Sequence, residues 1–543
     1  MRALQAIEYA LSQIFARRGL LLALCFAGAG TLSWWLGQDI NWDLKNYHLY
    51  NPYALLEGRL TTDFVPASLQ SFFNPLADIP YFVLATKVLQ RLPRVLAVLQ
   101  GLYFGALAYF VCRLNWRAFA GRTALPATTA TIASLIGVSA AGVVAEVGTT
   151  FNDIQAALFV LWGAYLLMPR PDDDAVTVRR ALWAGVAFGG AIGIKFTSGY
   201  YIAAAVFAVL VSRPLPVSTR AVALVCVSAG ACALLLCGPW ALWVYHQTGN
   251  PVFPLFNELF RSDWYPPVDY AGGYFKPRSL AAALLSPFTW TQVNDHLITE
   301  VAFRDARFAA AWAAAAALLA LALVTLCART VARRDITRPL GGAMRFLAAF
   351  AIASCVIWLT QLTALRFGIV PEVLTGTLIV LGIEIVASGF LPSRLAPAAV
   401  VALAAAAGVG LQAATVYPTW GRAPYEQRTY TIGAPALPAN SLVVLVGVPL
   451  SFIVPFLRPK DVTVVGISPH TAEARGYRLF DETKRRILGH TGPAFVVLDE
   501  NSQPLRPLAA ELGITWSDGP CGRITTNLYA GFQLCPGKIA APP

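Results

Sequence analysis

Apolar residues in this chain gather in long uninterrupted runs, not in the alternating or every-third-position patterns of a soluble domain. A helix needs about 20 apolar residues to cross hydrocarbon. Runs of this kind cover residues 20–36, 92–111, 125–145, 154–168, 182–194, 200–211, 221–244, 308–327, 346–365, 367–390 and 395–416, which predicts about eleven transmembrane helices. The apolar stretch 76–89 is too short to span and reads as an interfacial or re-entrant helix. Residues 182–211 are read as two helices with Lys195 at their outer tip, because a single helix would put Lys195 at mid-bilayer and turn the arginine-rich loop 329–345 outward.

After residue 417 the pattern changes. A linker carrying Gly421, Pro424, Gly433, Pro435 and Pro438 leads into short apolar strands at 441–447, 462–467 and 494–498, with a helical stretch at 471–488. The expected fold is an α-helical polytopic membrane protein, residues 1–417, followed by a small extramembrane α/β domain, residues 418–543.

Composition sharpens this reading. Of 543 residues, 57% are hydrophobic and 13% charged, against roughly 45–50% and 25% in an ordinary soluble domain. That excludes a soluble enzyme, and the aromatic content excludes a disordered chain. The net charge of +12 needs no nucleic acid to explain it, because the basic residues fall in alternate loops: Arg2, Arg17 and Arg18; Arg113, Arg117 and Arg122; Arg170, Arg179 and Arg180; Arg213 and Arg220; Arg329 to Arg345; and Arg394. Basic residues stay on the cytoplasmic side. The N-terminus is therefore expected inside, with its first helix retained, and the C-terminal domain outside.

Seven of the nine cysteines lie in or beside apolar runs; Cys521 and Cys535 lie in the outer domain and are a disulfide candidate, since that domain faces an oxidising compartment. No Cys and His spacing suggests a zinc site, and no phosphate-cradling loop or Rossmann glycine run is present. No cofactor is called for, and the sequence leaves a divalent-metal requirement open. The run Asp172-Asp173-Asp174 sits in a short inner loop with no domain to hold a nucleotide, and reads as a solvated turn.

With this orientation most carboxylates of the membrane domain fall outside: Asp39, Asp43, Glu57, Asp63 and Asp78 in the first outer loop, Glu146 and Asp153 in the second, and Glu258, Asp263, Asp269, Asp295, Glu300 and Asp305 in the fourth. The fourth loop reads mainly as a solvated surface. The first differs, because its acids sit among aromatics between Asp39 and Tyr50. Asp43 and Tyr47 are one helical turn apart and share a face. Burial under aromatic rings is expected to raise the pKa of Asp43 toward that of a general base for a sugar hydroxyl, with His48 a secondary proton-transfer candidate.

The run Asp43-x3-Tyr47, then Gly58, Asp63, Pro66 and Phe73-Asn74-Pro75-Leu76, resembles the first periplasmic loop of membrane glycosyltransferases of the GT-C fold, such as the lipid A aminoarabinose transferases and protein O-mannosyltransferases. Further matches are Gly148 to Asp153, Gly189 to Lys195, Trp240 to Pro254, and Arg366-Phe-Gly-Ile-Val-Pro371, so the resemblance spans about residues 10–390. Asn74 stands where the aminoarabinose transferases have Lys, and Phe367 follows Arg366 where many relatives have Tyr, so no particular sugar is implied.

The resemblance implies an integral membrane enzyme of the bacterial inner membrane, with its site at the periplasmic face. Its donor would be a sugar on a polyprenyl phosphate and its acceptor a hydroxyl of a glycan, lipid or protein. Asp43 would be the catalytic base of an inverting displacement. Arg366 and Lys195 are the short-loop cations suited to the donor phosphate, while Asp153, Glu146, Tyr47 and His48 are acceptor-binding or supporting residues. The rival readings are a lipid-linked sugar transporter or flippase, for which the chain shows no convincing repeat, and an oligosaccharide polymerase or ligase, for which Arg261, Arg278, Arg304 and Arg307 in the fourth outer loop would supply cations.

Overall fold

The computed structural model describes residues 2–541 apart from 172–174, 214, 269, 271–274, 276, 294–297, 333–339, 362, 518 and 530. The acids Asp172 to Asp174, Asp269, Asp295 and Asp335 and the arginines Arg333, Arg334 and Arg338 fall outside the described residues.

Each apolar run forms helix. Among the described residues seven helices are long and apolar enough to cross a membrane: Arg18–Leu36, Pro93–Phe119, Ser218–Thr248, Arg307–Val324, Gly342–Gln361, Leu365–Phe390 and Ala396–Ala414. Shorter apolar helices, Pro126–Val138, Asp153–Leu167, Val178–Ile194 and Tyr200–Ser212, cover the other runs. The protein is thus a helical, multi-pass membrane fold with a C-terminal sheet domain. The chain breaks at Lys195, which adopts an extended backbone after Val178–Ile194. Residues 76–89 form the short helix Ile79–Val83 and a wide turn, Leu84–Val88.

Run 125–145 does not stay one helix. It stops at Val138 and restarts as Ala141–Glu146, because two buried acids supply a helix N-terminus in mid-run. Asp305 accepts from the Ala141 N–H at 2.9 Å, and Glu372 accepts from Gly142 and Val143 at 2.8 and 3.1 Å. An N-terminal helix, Arg2–Ala16, precedes the first span. Its Glu8 caps Pro126–Val138 by accepting from the backbone of Ala127 and Thr128.

The bundle is polar end to end. At the C-terminal end of Asp153–Leu167, Arg117 and Arg180 donate to the carbonyls of Tyr165, Leu166 and Met168, whereas the N-terminal end holds Asp153 and its lysine partner. Arginines that the pattern puts inside therefore gather opposite the carboxylates that it puts outside.

The C-terminal domain is a mixed sheet. Leu442–Val446 lies between Thr463–Ile467 and Ala494–Leu498, all parallel, and Phe532–Ile539, Gly522–Thr526 and Ile432–Gly433 extend the sheet antiparallel beyond Ala494–Leu498. The expected helix 471–488 is two, Pro469–Glu473 and Arg478–Leu488, separated by a turn in which Gly476 takes φ +81°. Cys521 and Cys535 are joined as a disulfide. Arg422–Ala423 of the linker pairs antiparallel with Gln38–Asp39 just past the first span, so the domain begins already stitched to the loop that follows that span.

Candidate active site

The first span ends at Leu36, and the chain turns through Gly37 and Gln38–Asp39 into a wide helical turn, Leu44–His48. Asp39 anchors that turn: Asn41 donates to its Oδ1 from both backbone and side chain at 3.0 and 2.8 Å, and Thr150 donates to its Oδ2 from N–H and hydroxyl at 2.7 and 2.9 Å. Gly148 makes the return of Thr150 possible. It takes φ +74°, and a side-chain carbon there would collide with the Ser33 hydroxyl.

Asp43, at the head of the turn, is buried, with 8% of its side chain exposed. Tyr47 donates its phenol to Asp43 Oδ2 at 3.0 Å, which is the shared face that the spacing predicts. The same oxygen receives Arg366 Nη1 at 2.5 Å, from a residue 323 positions away at the mouth of Leu365–Phe390. This contact corrects the expected electrostatics of Asp43. Burial does push its carboxyl up, but Arg366, then His48 and Lys195, outweigh burial and hold it below the ordinary carboxylate range. Burial and the adjacent Asp43 push the Tyr47 phenol the other way, well above its ordinary value, so it remains a donor.

The second cation is also engaged. Lys195 Nζ donates to both carboxyl oxygens of Asp153 at 2.6 Å. Both cations border one ring: Lys195 Nζ lies 4.2 Å, and the Arg366 guanidinium carbon 5.5 Å, from the centre of Phe367. Between these segments opens a small cleft lined by Asp153, Ser198, Tyr200, Tyr201, Arg366 and Phe367. Tyr200 and Tyr201 fix its wall by donating to the Phe367 carbonyl at 3.0 and 2.9 Å. The structure therefore brings Asp43, Tyr47, Arg366, Lys195 and Asp153 into two neighbouring ion pairs.

The other candidates separate from that group in role. His48 Nδ1 pairs with Asp78 at 2.8 Å within the first loop, and Asn152 donates to the same Asp78 oxygen at 2.9 Å, so Asp78 ties the first loop to the second; among the described residues His48 Nε2 has no hydrogen-bond partner. Glu146 is fully buried and, among the described residues, neither carboxyl oxygen has a hydrogen-bond partner, while Arg422 donates to the carbonyls on either side of it, Ala145 and Val147. Asp305 pairs with Arg307 at 3.0 Å, both buried, and serves the core instead of a solvated loop. Sequence reading passed over Glu372, an acid inside an apolar run. Its position directly after the Arg366 to Pro371 motif was the available signal. Among the described residues no group of three or more His, Cys, Asp or Glu side chains is placed to hold a metal ion.

No family model matches the chain, and no curated protein matches it. Two solved structures of ArnT from Cupriavidus metallidurans do, one bound to undecaprenyl phosphate and one in the apo state. Each comparison covers 96% of this chain and 99% of the other at 15% identity, with a TM-score of 0.48. Neither value is high enough to transfer a residue or a role.

Proposed function

We propose that this protein is an integral membrane glycosyltransferase that moves a sugar from a polyprenyl-phosphate donor to an acceptor hydroxyl at the outer face, with Asp43 as general base and inversion at the anomeric carbon. The observation that carries the reading is the Asp43–Arg366 contact, which joins an outward-placed carboxylate to a phosphate-binding type of side chain in a buried setting.

The two ion pairs suggest how the donor takes part in its own activation. A phosphate entering between Arg366 and Lys195 competes with Asp43 and Asp153 for the cations. Once Arg366 turns to the phosphate, Asp43 loses its strongest opposing charge and burial dominates, so its basicity rises with the donor bound. Asp43 then takes the proton of the acceptor hydroxyl, and the oxygen attacks the anomeric carbon. The bond from that carbon to the phosphate oxygen breaks, and polyprenyl phosphate leaves against Arg366 and Lys195. Tyr47, donating to Asp43, fixes which carboxyl oxygen faces the acceptor.

The test is Asp43→Asn in membranes supplied with lipid-linked sugars. Folding and expression are expected to persist while transfer falls by about 10²–10⁴; transfer at the wild-type rate would remove Asp43 from the chemistry. Mass spectrometry of lipid-linked sugars with and without the gene identifies the donor as the species that accumulates.

A further inference from the structure

Thr463–Ile467 is the edge strand of the C-terminal sheet, and the first outer loop occupies its free side. The Phe64 N–H donates to the Val464 carbonyl at 2.8 Å, and the Gly466 N–H donates back to the Phe64 carbonyl at 2.9 Å, a parallel bridge between the loop and the domain. A buried knot locks it. Asp63 accepts from Arg59 at 2.5 and 3.1 Å, from the Val464 N–H at 3.1 Å and from the Tyr50 hydroxyl at 3.1 Å. Arg59 reaches on to the carbonyls of Lys460 and Val462. Nearer Asp43, the Ser451 hydroxyl donates to the Asn46 carbonyl, and the Ser68 and Ser468 hydroxyls meet at 2.8 Å. On the other flank, Gln38–Asp39 pairs with Arg422–Ala423. The segment bearing Asp43 is thus held on both sides by the domain, across an interface with no room to spare: a side-chain carbon on Gly466 would run into the Val65 carbonyl.

We propose that the C-terminal domain is a positioning element for the transfer step, with Asp63, Arg59 and Gly466 as positioning residues that fix Asp43 against Arg366; this rests on the reading of Asp43 as the base. The chemistry of the interface favours this over an acceptor-binding role for the same edge. Its polar groups are spent on the loop, and the edge strand that would otherwise be open for strand addition is covered.

Gly466→Ala leaves the strand in its sheet and forces the loop to yield. A displacement on the ångström scale is expected to lower kcat by roughly 10²-fold, with KM for the lipid-linked donor nearly unchanged. The acid limb of the pH–rate profile is expected to move upward as Asp43 and Arg366 part. Arg475→Ala, which removes an exposed ion pair of the same domain with Glu511, serves as the unaffected control. A second test closes the interface covalently: Ser68→Cys with Ser468→Cys, oxidised to a disulfide in the otherwise wild-type enzyme, is expected to leave it fully active. Wild-type kcat and pH profile in Gly466→Ala, a change confined to KM, or loss of activity on crosslinking would each overturn the proposal. Asp43→Asn run in parallel separates the two ideas: full transfer by that variant overturns both, whereas an inactive Asp43→Asn beside an unaffected Gly466→Ala overturns the positioning role alone.

Discussion

Replacing Arg366 by Gln keeps a polar side chain, though a shorter one, and removes the charge that pairs with Asp43. Asp43 is 8% exposed and Arg366 21%, so the pair is buried on one side and partly screened on the other. Breaking a buried pair by deleting one partner costs about 3–5 kcal/mol; the exposure of Arg366 points to the lower end, about 3 kcal/mol at pH 7. The sign with pH follows from the direction of the shift. The Asp43 carboxyl is held low in the folded protein, so its contribution to stability is fully present above the unfolded pKa and is lost as pH falls through the folded one. The gap between wild type and Arg366→Gln should therefore be widest near neutrality and close as the solution is acidified. Unfolding of the purified protein in detergent, by denaturant or heat at several pH values, measures the gap. The acid limb of kcat/KM for transfer should shift upward in the variant, since burial then acts on Asp43 with only His48 and Lys195 opposing it. Equal stability at all pH values, together with an unmoved acid limb, would refute the reasoning.

Other outcomes follow from single contacts. Lys195→Met should raise KM for the lipid-linked sugar and lower kcat as well, because Lys195 is read as a contact of the donor phosphate both as it binds and as it leaves. Gly148→Ala should destabilise the protein by about 1–2 kcal/mol for its left-handed backbone, with more added by the collision with Ser33, measured as a lowered unfolding midpoint. Replacing Cys521 and Cys535 by Ala opens a short loop, 14 residues in separation, and should cost about 3 kcal/mol in the C-terminal domain. Limited proteolysis should then cut there first while the membrane helices stay intact.

How much of this was legible in the chain depends on the range of the interaction concerned. Apolar runs, the break at Lys195, the strands of the C-terminal domain and the shared face of Asp43 and Tyr47 are local, and periodicity carries them. The N-terminal helix Arg2–Ala16 escapes because it is too polar to register as a span and its partner, the start of Pro126–Val138, lies more than a hundred residues away. The restart at Ala141 escapes for the same reason, since Asp305 and Glu372 arrive from distant segments to cap it. The largest correction is of this kind too. Aromatic neighbours along the chain argue for a raised Asp43, and the arginine that reverses the sign comes from the junction of the ninth and tenth apolar runs. Charge pairing across a bundle is set by tertiary packing, which a one-dimensional pattern does not encode.

The 15-residue helix Asp153–Leu167 rises only about 22 Å, while bilayer hydrocarbon is about 30 Å thick. With arginine-held carbonyls at one tip and the Lys195–Asp153 pair at the other, it cannot carry both to the headgroups, so one of its two polar tips is left below headgroup level. If the submerged tip is the Lys195–Asp153 end, the transfer proposed above would run shielded from bulk water, which would favour a seated alcohol over hydrolysis of the donor.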